Sequence, residues 1–279
     1  MSASRSSARP WALVTGGLRG IGHAIAHSLC AQGLDVAIVD LDAPGADTEA
    51  IVQALAATQG GAVRVVYQRL DIADLAQHGP VLQALEAAFG APPRCLVNNA
   101  GIASRPLTDL LEIGPEAFDR NLGINLRGSF FLTQAVARRL VAVPSTDGAG
   151  AADGAADAPP PSIVFITSIA AELVSPDRAP YCISKAGLST VTRLFATRLA
   201  AHGIAVHEVR PGFIRTDMTA SAGSEVIDRW IAEGRVPVPR WGTPQDVGQV
   251  VAALAAGRLP YVTGQPIWVA GGLNIARAT

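Results

Sequence analysis

Short apolar runs alternate with stretches in which apolar residues recur every three or four positions. WALVT (11–15), DVAIVD (35–40), VRVVYQRLD (63–71), RCLVNNAG (94–101), SIVFITS (162–168), IAVHEVRPG (204–212) and QPIWVAGG (265–272) read as strands. After the first of them, Ile21, Ala24, Ile25 and Leu29 fall at helical spacing until Gly33 stops the pattern. Helices are predicted over 46–58, 74–89, 116–143 and 180–202 in the same way. LVTG, AIVD and IVFIT are continuously apolar, the mark of strands covered on both faces. Strands that alternate with helices need crossover connections. The pattern therefore predicts an α/β fold: a doubly wound, mostly parallel, Rossmann-type sheet with helices on both faces, in a single domain over 11–279.

Two segments do not fit a packed core. Residues 1–10, rich in Ser, Ala and Arg, read as a flexible tail. PSTDGAGAADGAADAPPP (144–161) reads as a disordered surface insert between a helix and the fifth strand. The 279 residues are 49% hydrophobic and carry 22 basic and 23 acidic side chains, so a sizeable core is available and the net charge is only -1. Basic residues do not cluster, which argues against nucleic acid or anionic lipid as a partner. The three cysteines, Cys30, Cys95 and Cys182, form no CxxC pair and read as reduced thiols. MSASRSSARP has no apolar stretch after its arginines, and no apolar run reaches membrane-spanning length. The expectation is a soluble, cytoplasmic protein.

TGGLRGIG (15–22) lies between the first strand and the first helix. Glycines there permit a tight turn and let backbone N–H groups approach a pyrophosphate at the helix N-terminus. Gly16, Leu18, Arg19, Gly20, Ile21 and Gly22 are thus candidate dinucleotide contacts, although Gly16-x-x-x-Gly20-x-Gly22 is not the usual spacing. Asp40 ends the second strand, with Leu41 beside it, where a carboxylate can accept hydrogen bonds from adenosine ribose hydroxyls. That favours NAD, because a 2′-phosphate about 5 Å away would meet a repulsion of roughly 3 kcal/mol at an effective dielectric near 20. Arg19 could pair with such a phosphate and keeps NADP as the alternative.

Tyr181 and Lys185 sit four residues apart on a predicted helix, one turn from each other on one face. An ammonium about 5 Å from a phenol favours the phenolate by roughly 3 kcal/mol, which brings the phenol towards useful acid–base chemistry. Ser168 ends the fifth strand, and Asn98 and Asn99 end the fourth, at the sheet edge that carries the glycine turn. Asn125 lies in the helix before the insert.

With T15-G16-x-x-x-G20-x-G22, Asp71, N98-N99-A100-G101, Asn125, Ser168, Y181-x-x-x-K185 and P211-G212 in this order, the chain resembles the single-domain short-chain dehydrogenases/reductases. PGFIRTDMT (211–219) and YVTGQPIWVAGG (261–272) look like the 3-oxoacyl-[acyl-carrier-protein] reductases, whereas Asp40 departs from that group's common NADP preference. The resemblance implies an NAD(P)-dependent oxidoreductase that interconverts a carbonyl and a secondary alcohol, with a small-molecule or acyl-thioester substrate. A sugar or polyol dehydrogenase and a non-catalytic dinucleotide-sensing protein are the alternatives. It also implies roles. Ser168 binds the carbonyl oxygen, Tyr181 transfers the proton, Lys185 tunes Tyr181 and holds the nicotinamide ribose, and Asn125 orders a relaying water. Asp71 and Ile72 border adenine. Asn98, Ala100 and Gly101 line the ribose and nicotinamide, which Pro211, Gly212, Ile214 and Thr216 flank. Leu173 and Phe213 line a partly apolar substrate pocket, residues 217–240 form a lid, and the C-terminal QPIWVAGGLNIA suits a homodimer or homotetramer interface.

His23 and His27 have a zinc-compatible spacing but no third ligand, and they read as solvated helix residues with no metal. Cys182 adjoins Tyr181 on another helix face. Trp230, Trp241 and Trp268 read as core or subunit contacts.

Overall fold

In the computed structural model, which describes residues 9–143, 159–220 and 224–276, seven strands share one sheet. They are β1 (Trp11–Thr15), β2 (Asp35–Asp40), β3 (Val65–Arg69), β4 (Cys95–Asn98), β5 (Ser162–Ile166), β6 (Ala205–Pro211) and β7 (Pro266–Val269). Their order is β3-β2-β1-β4-β5-β6-β7, and every pairing is parallel. All carboxyl ends therefore meet at one edge, and the winding reverses between β1 and β4, the place where such sheets open a crevice. Residues 1–8 of the expected tail (1–10) and 144–158 of the expected insert (144–161) lie outside the described residues.

The helices are α1 (Gly20–Ala31), α2 (Ala46–Ala56), α3 (Leu75–Phe89), α4 (Pro115–Leu122), α5 (Ser129–Ala142), α6 (Ala179–Leu199), α7 (Asp217–Ala220), α8 (Ser224–Ala232) and α9 (Pro244–Ala255). Strand side chains alternate between two cores, as a period of two requires. Val14, Ile38, Val97 and Val164 pack with Ile25 and Leu29 of α1 and Val247 and Val251 of α9. Leu13, Val39, Leu96 and Phe165 pack with Leu82 of α3, Leu132 and Val136 of α5 and Leu188 of α6. Burying each such large side chain stabilises the fold by about 1.5–3 kcal/mol.

Three expectations need correction. The long helix over 116–143 is α4 and α5 joined by a π-helical segment, Gly123–Gly128. Helix α9 was not foreseen, although Thr243-Pro-Gln-Asp246 carries its start signal: Thr243 Oγ1 accepts from the Asp246 amide at 3.2 Å, and Asp246 accepts from the Thr243 amide at 2.7 Å. Arg240 grips the same carboxylate at 2.7 and 3.0 Å and holds its pKa well below the usual range. His23 is half buried rather than solvated, and desolvation lowers its pKa; His27 is exposed. Among the described residues no cluster of side chains is arranged to hold a metal ion, and no helix is long and apolar enough to cross a membrane.

The α1–α9 contact is close because Gly248 lacks a side chain. A Cβ there would lie 2.6 Å from Ser28 Oγ and 2.7 Å from the Ala24 carbonyl oxygen. We expect Gly248→Ala to lower unfolding stability by about 1–3 kcal/mol, read from urea denaturation, because the two helices must part to admit one methyl group.

Candidate active site

The glycine turn is fixed from behind by the end of β4. Thr15 Oγ1 accepts from the amides of Asn99 and Ala100 at 3.0 and 2.9 Å and donates to the Val97 carbonyl at 3.3 Å. Asn99 Nδ2 donates to the carbonyls of Thr15 and Gly16, both at 3.0 Å. Asn99 thus braces the turn, a role its place in the sequence did not reveal. Gly16 has φ +65, and a Cβ on Gly22 would lie 2.0 Å from the Gly16 carbonyl oxygen, so neither position admits a side chain without rebuilding the turn. Helix α1 then starts with no side-chain cap and no acidic residue in its first turn. Its amino end keeps uncompensated N–H groups and positive dipole, which fits the pyrophosphate of a dinucleotide.

At the rim, Asp40 accepts from the Leu18 amide at 3.3 Å and the Leu41 amide at 2.9 Å. Arg19 pairs with Asp42 at 3.5 Å on the surface. Tyr67 donates to the carbonyls of Asp40 and Asp42; burial first, then the Asp40 and Asp42 charges, push its pKa up to about 12. Asp71 turns its carboxylate onto the Ala73 amide at 2.9 Å. Leu18, Ile72 and Ile214 are core residues, with 6%, 5% and 4% exposure. Asn98 donates to Thr133 Oγ1 at 2.9 Å, and its buried Oδ1 has no partner among the described residues.

Tyr181, Lys185, Asn125 and Gly101 gather beyond β4 and β5. Lys185 is 5% exposed, and its Nζ donates to the Ile166 carbonyl at 3.0 Å and lies 5.6 Å from the Tyr181 ring centroid. Desolvation lowers the Lys185 pKa, and the Tyr181 phenol partly offsets this. A Cβ on Gly101 would lie 3.0 Å from Asn125 Oδ1 and 3.6 Å from Lys185 Nζ. Asn125 is fully buried in the π segment. Its Oδ1 accepts from the Ile102 amide at 2.8 Å, and its Nδ2 donates to Ile102 O, Asn121 Oδ1 and Ser184 Oγ at 3.0, 3.0 and 3.1 Å. Ser184 in turn donates to the Tyr181 carbonyl at 2.8 Å, and Ser104 Oγ accepts from the Tyr181 amide at 3.1 Å. Ser104, Asn121 and Ser184 were not anticipated; polar side chains spread over three segments carry no local pattern.

Ser168 lies two residues past β5, where its Oγ accepts from the Ala170 amide at 3.1 Å. Its neighbour Thr167 donates to the buried Glu208 at 2.8 Å. Gly212, just after Pro211, is tied to the Val269 carbonyl at 2.9 Å. Thr216 meets the glycine turn: its Cγ2 lies 3.6 Å from where a Cβ on Gly20 would be. Phe213 packs against Trp230 and Trp241, with centroids 5.7 and 6.5 Å apart, and Leu173 is 42% exposed. Trp268 sits under the Arg210 guanidinium. Cys182 is buried, with its thiol near the Ser175 carbonyl at 3.8 Å.

This edge thus offers an anion-compatible helix end, a phenol beside a buried ammonium, and a hydroxyl on the adjoining strand exit. Such a set can bind a dinucleotide and exchange a proton with a substrate oxygen. A family model described as enoyl-(acyl carrier protein) reductase matches residues 16–274. A (3R)-3-hydroxyacyl-CoA dehydrogenase from Mus musculus is 37% identical over 266 residues, covering 94% of this chain and 95% of that one. An L-rhamnose 1-dehydrogenase (NAD(P)(+)) from Azotobacter vinelandii is 34% identical over 265 residues, covering 94% and 96%. The crystal structure of a 3-oxoacyl-[acyl-carrier protein] reductase from Brucella melitensis in complex with NAD superposes with TM-score 0.87 at 42% identity, covering 98% of this chain and 100% of that one. On these matches and the order of its motifs, the chain belongs to the short-chain dehydrogenase/reductase family, a group of oxidoreductases built on this Rossmann-type sheet.

Proposed function

We propose that the protein is an NAD-dependent oxidoreductase that interconverts 3-oxoacyl and 3-hydroxyacyl groups. The observation that carries the reading is the buried Lys185 ammonium 5.6 Å from the Tyr181 ring, beside the glycine turn. The bound dinucleotide supplies or accepts the hydride at the carbonyl carbon. Ser168 donates a hydrogen bond to the carbonyl oxygen, and Tyr181 gives that oxygen its proton as charge develops. Lys185 faces the phenol with positive charge while the proton leaves and holds the ribose of the nicotinamide. In oxidation Tyr181 takes the proton back.

The Asn125 side chain already bonds Ile102, Asn121 and Ser184, so we assign a water that relays protons to Lys185 to the backbone of the π segment. Gly16, Gly20 and Gly22 with Arg19 and Ile21 hold the pyrophosphate. Asp40 and Leu41 hold the adenosine ribose, Asp71 and Ile72 the adenine, and Asn98, Ala100, Gly101, Pro211, Gly212, Ile214 and Thr216 the nicotinamide side. We assign a lid to residues 217–240, of which 221–223 lie outside the described residues, with α8 bringing Trp230 onto Phe213. We place the enzyme in the cytoplasm as a homo-oligomer. Strand β7 supports the assembly, since it ends the sheet and all four of its residues are half exposed.

Tyr181→Phe is expected to lower kcat by about 10²–10⁴-fold while NADH binding, followed by fluorescence, persists. Turnover that survives the substitution rejects the mechanism. A 3-oxoacyl thioester should be reduced faster than any ketose in a steady-state panel; the opposite ranking makes the protein a sugar or polyol dehydrogenase. In saturation curves NADH should half-saturate about 100-fold below NADPH, because Asp40 repels a 2′-phosphate by roughly 3 kcal/mol.

A further inference from the structure

A second cation touches the proposed proton donor. The Arg178 guanidinium lies over the Tyr181 ring, with Cζ 4.7 Å from the centroid. Arg178 closes the short turn Pro176–Arg178 that leads into α6. That turn is anchored: the Arg178 amide donates to Ser175 O at 3.0 Å, and the Asp177 carbonyl accepts from the Thr108 amide at 3.2 Å. Other arginines near this end have carboxylate partners. Arg210 is paired with Glu208 and Glu172, Arg215 with Asp228, and Arg240 with Asp246. Arg178 makes no ion pair and no side-chain hydrogen bond among the described residues, although it is half buried. The carboxylate next to it, on Asp177, accepts instead from the Ser175 hydroxyl at 2.5 Å.

A cation–π contact takes up none of the guanidinium N–H donors as a hydrogen bond, and those donors form the fork that matches a carboxylate. We propose that Arg178 is the carboxylate-recognising residue of the substrate site, so that the enzyme takes 3-oxo acids with a free carboxylate in preference to their neutral esters. The inference rests on the 3-oxoacyl reading above and names the acyl form it favours. A carboxyl group two bonds from the reacting carbon lies within reach of a guanidinium that covers the proton donor's own ring. The reaction is unchanged: the carbonyl carbon gains the hydride, its oxygen gains the proton of Tyr181, and the carboxylate forms and breaks no bond.

The test compares kcat/KM for 3-oxobutanoate and for ethyl 3-oxobutanoate, with the full chain and NADH. An effect of Arg178 on Tyr181 alone acts on both ketones alike and cancels in the acid-to-ester ratio. The ratio exceeds one in the wild type, falls about 10- to 100-fold in Arg178→Leu and recovers in part in Arg178→Lys, which keeps the charge without the fork. An unchanged ratio in Arg178→Leu overturns the proposal. Calorimetric binding of 3-hydroxybutanoate to the NADH-loaded chain provides a readout free of turnover. Arg178→Leu weakens that binding at least about tenfold if the proposal holds, and equal binding overturns it. If neither ketone is reduced, the thioester panel above decides the 3-oxoacyl reading separately, and the binding comparison decides the role of Arg178.

Discussion

The site depends on an ammonium group kept out of water. Lys185 is 5% exposed, and the Ile166 carbonyl is the hydrogen-bond acceptor that meets its Nζ. Taking a charge that far from solvent costs several kcal/mol unless other groups face it. The lowered Lys185 pKa expresses that cost, and the pull of Tyr181 in the opposite direction identifies the phenol as the group whose negative charge would relieve it. A buried lysine that lacks a full counter-charge is therefore poised to favour negative charge nearby. That makes a phenol on the same helix face a usable acid and base.

Such a charge is useful only if the elements around it cannot slide. Strand β6 contributes a buried cluster that ties them together. Glu208, 1% exposed, accepts from Thr167 at 2.8 Å, from Ser189 of α6 at 2.8 Å and from Arg210 at 2.5 Å. Arg210 also donates to Ser189 at 2.8 Å and to Glu172 in the segment after Ser168. The residue before Ser168, the helix that carries Tyr181 and Lys185, and the strand between them share one set of charge-assisted bonds. An apolar cluster of equal volume would bury as much surface, but it would not fix the register of a hydroxyl against a phenol. A fully satisfied polar network does so through direction as well as distance.

The sheet, its parallel sense and the edge that carries the site are legible in the sequence, because strands covered on both faces must be continuously apolar and glycine turns follow from their spacing. Tyr181 and Lys185 were legible for the same reason: four residues on a helix is a distance. The π segment was not. Its apolar periodicity differs little from that of an α-helix over six residues, and the partners that hold its Asn125 include Ile102 and Ser184, which lie far along the chain. The brace of Asn99 on Thr15 and Gly16 is likewise a contact across β1 and β4, set by topology rather than local pattern. Helix α9 is a different case, since Thr243-Pro-Gln-Asp246 carries a legible start signal just beyond the segment read as a lid.

On the proposed reading, the two cations at Tyr181 divide the work according to burial. Lys185, desolvated and bonded to the Ile166 carbonyl, has no freedom to follow a substrate and can serve only a step common to every turnover. Arg178, half buried and resting on the ring, keeps donors that no described residue uses and can respond to whatever oxygen a substrate presents. Exchanging the roles would fail on physical grounds. A guanidinium in the Lys185 position would have to bury five donors against a single carbonyl, and a lysine at Arg178 would lose the planar fork that matches a carboxylate. If both roles hold, reaction chemistry and substrate choice can vary independently at one phenol, because one charge is sealed in the core and the other stands at its boundary.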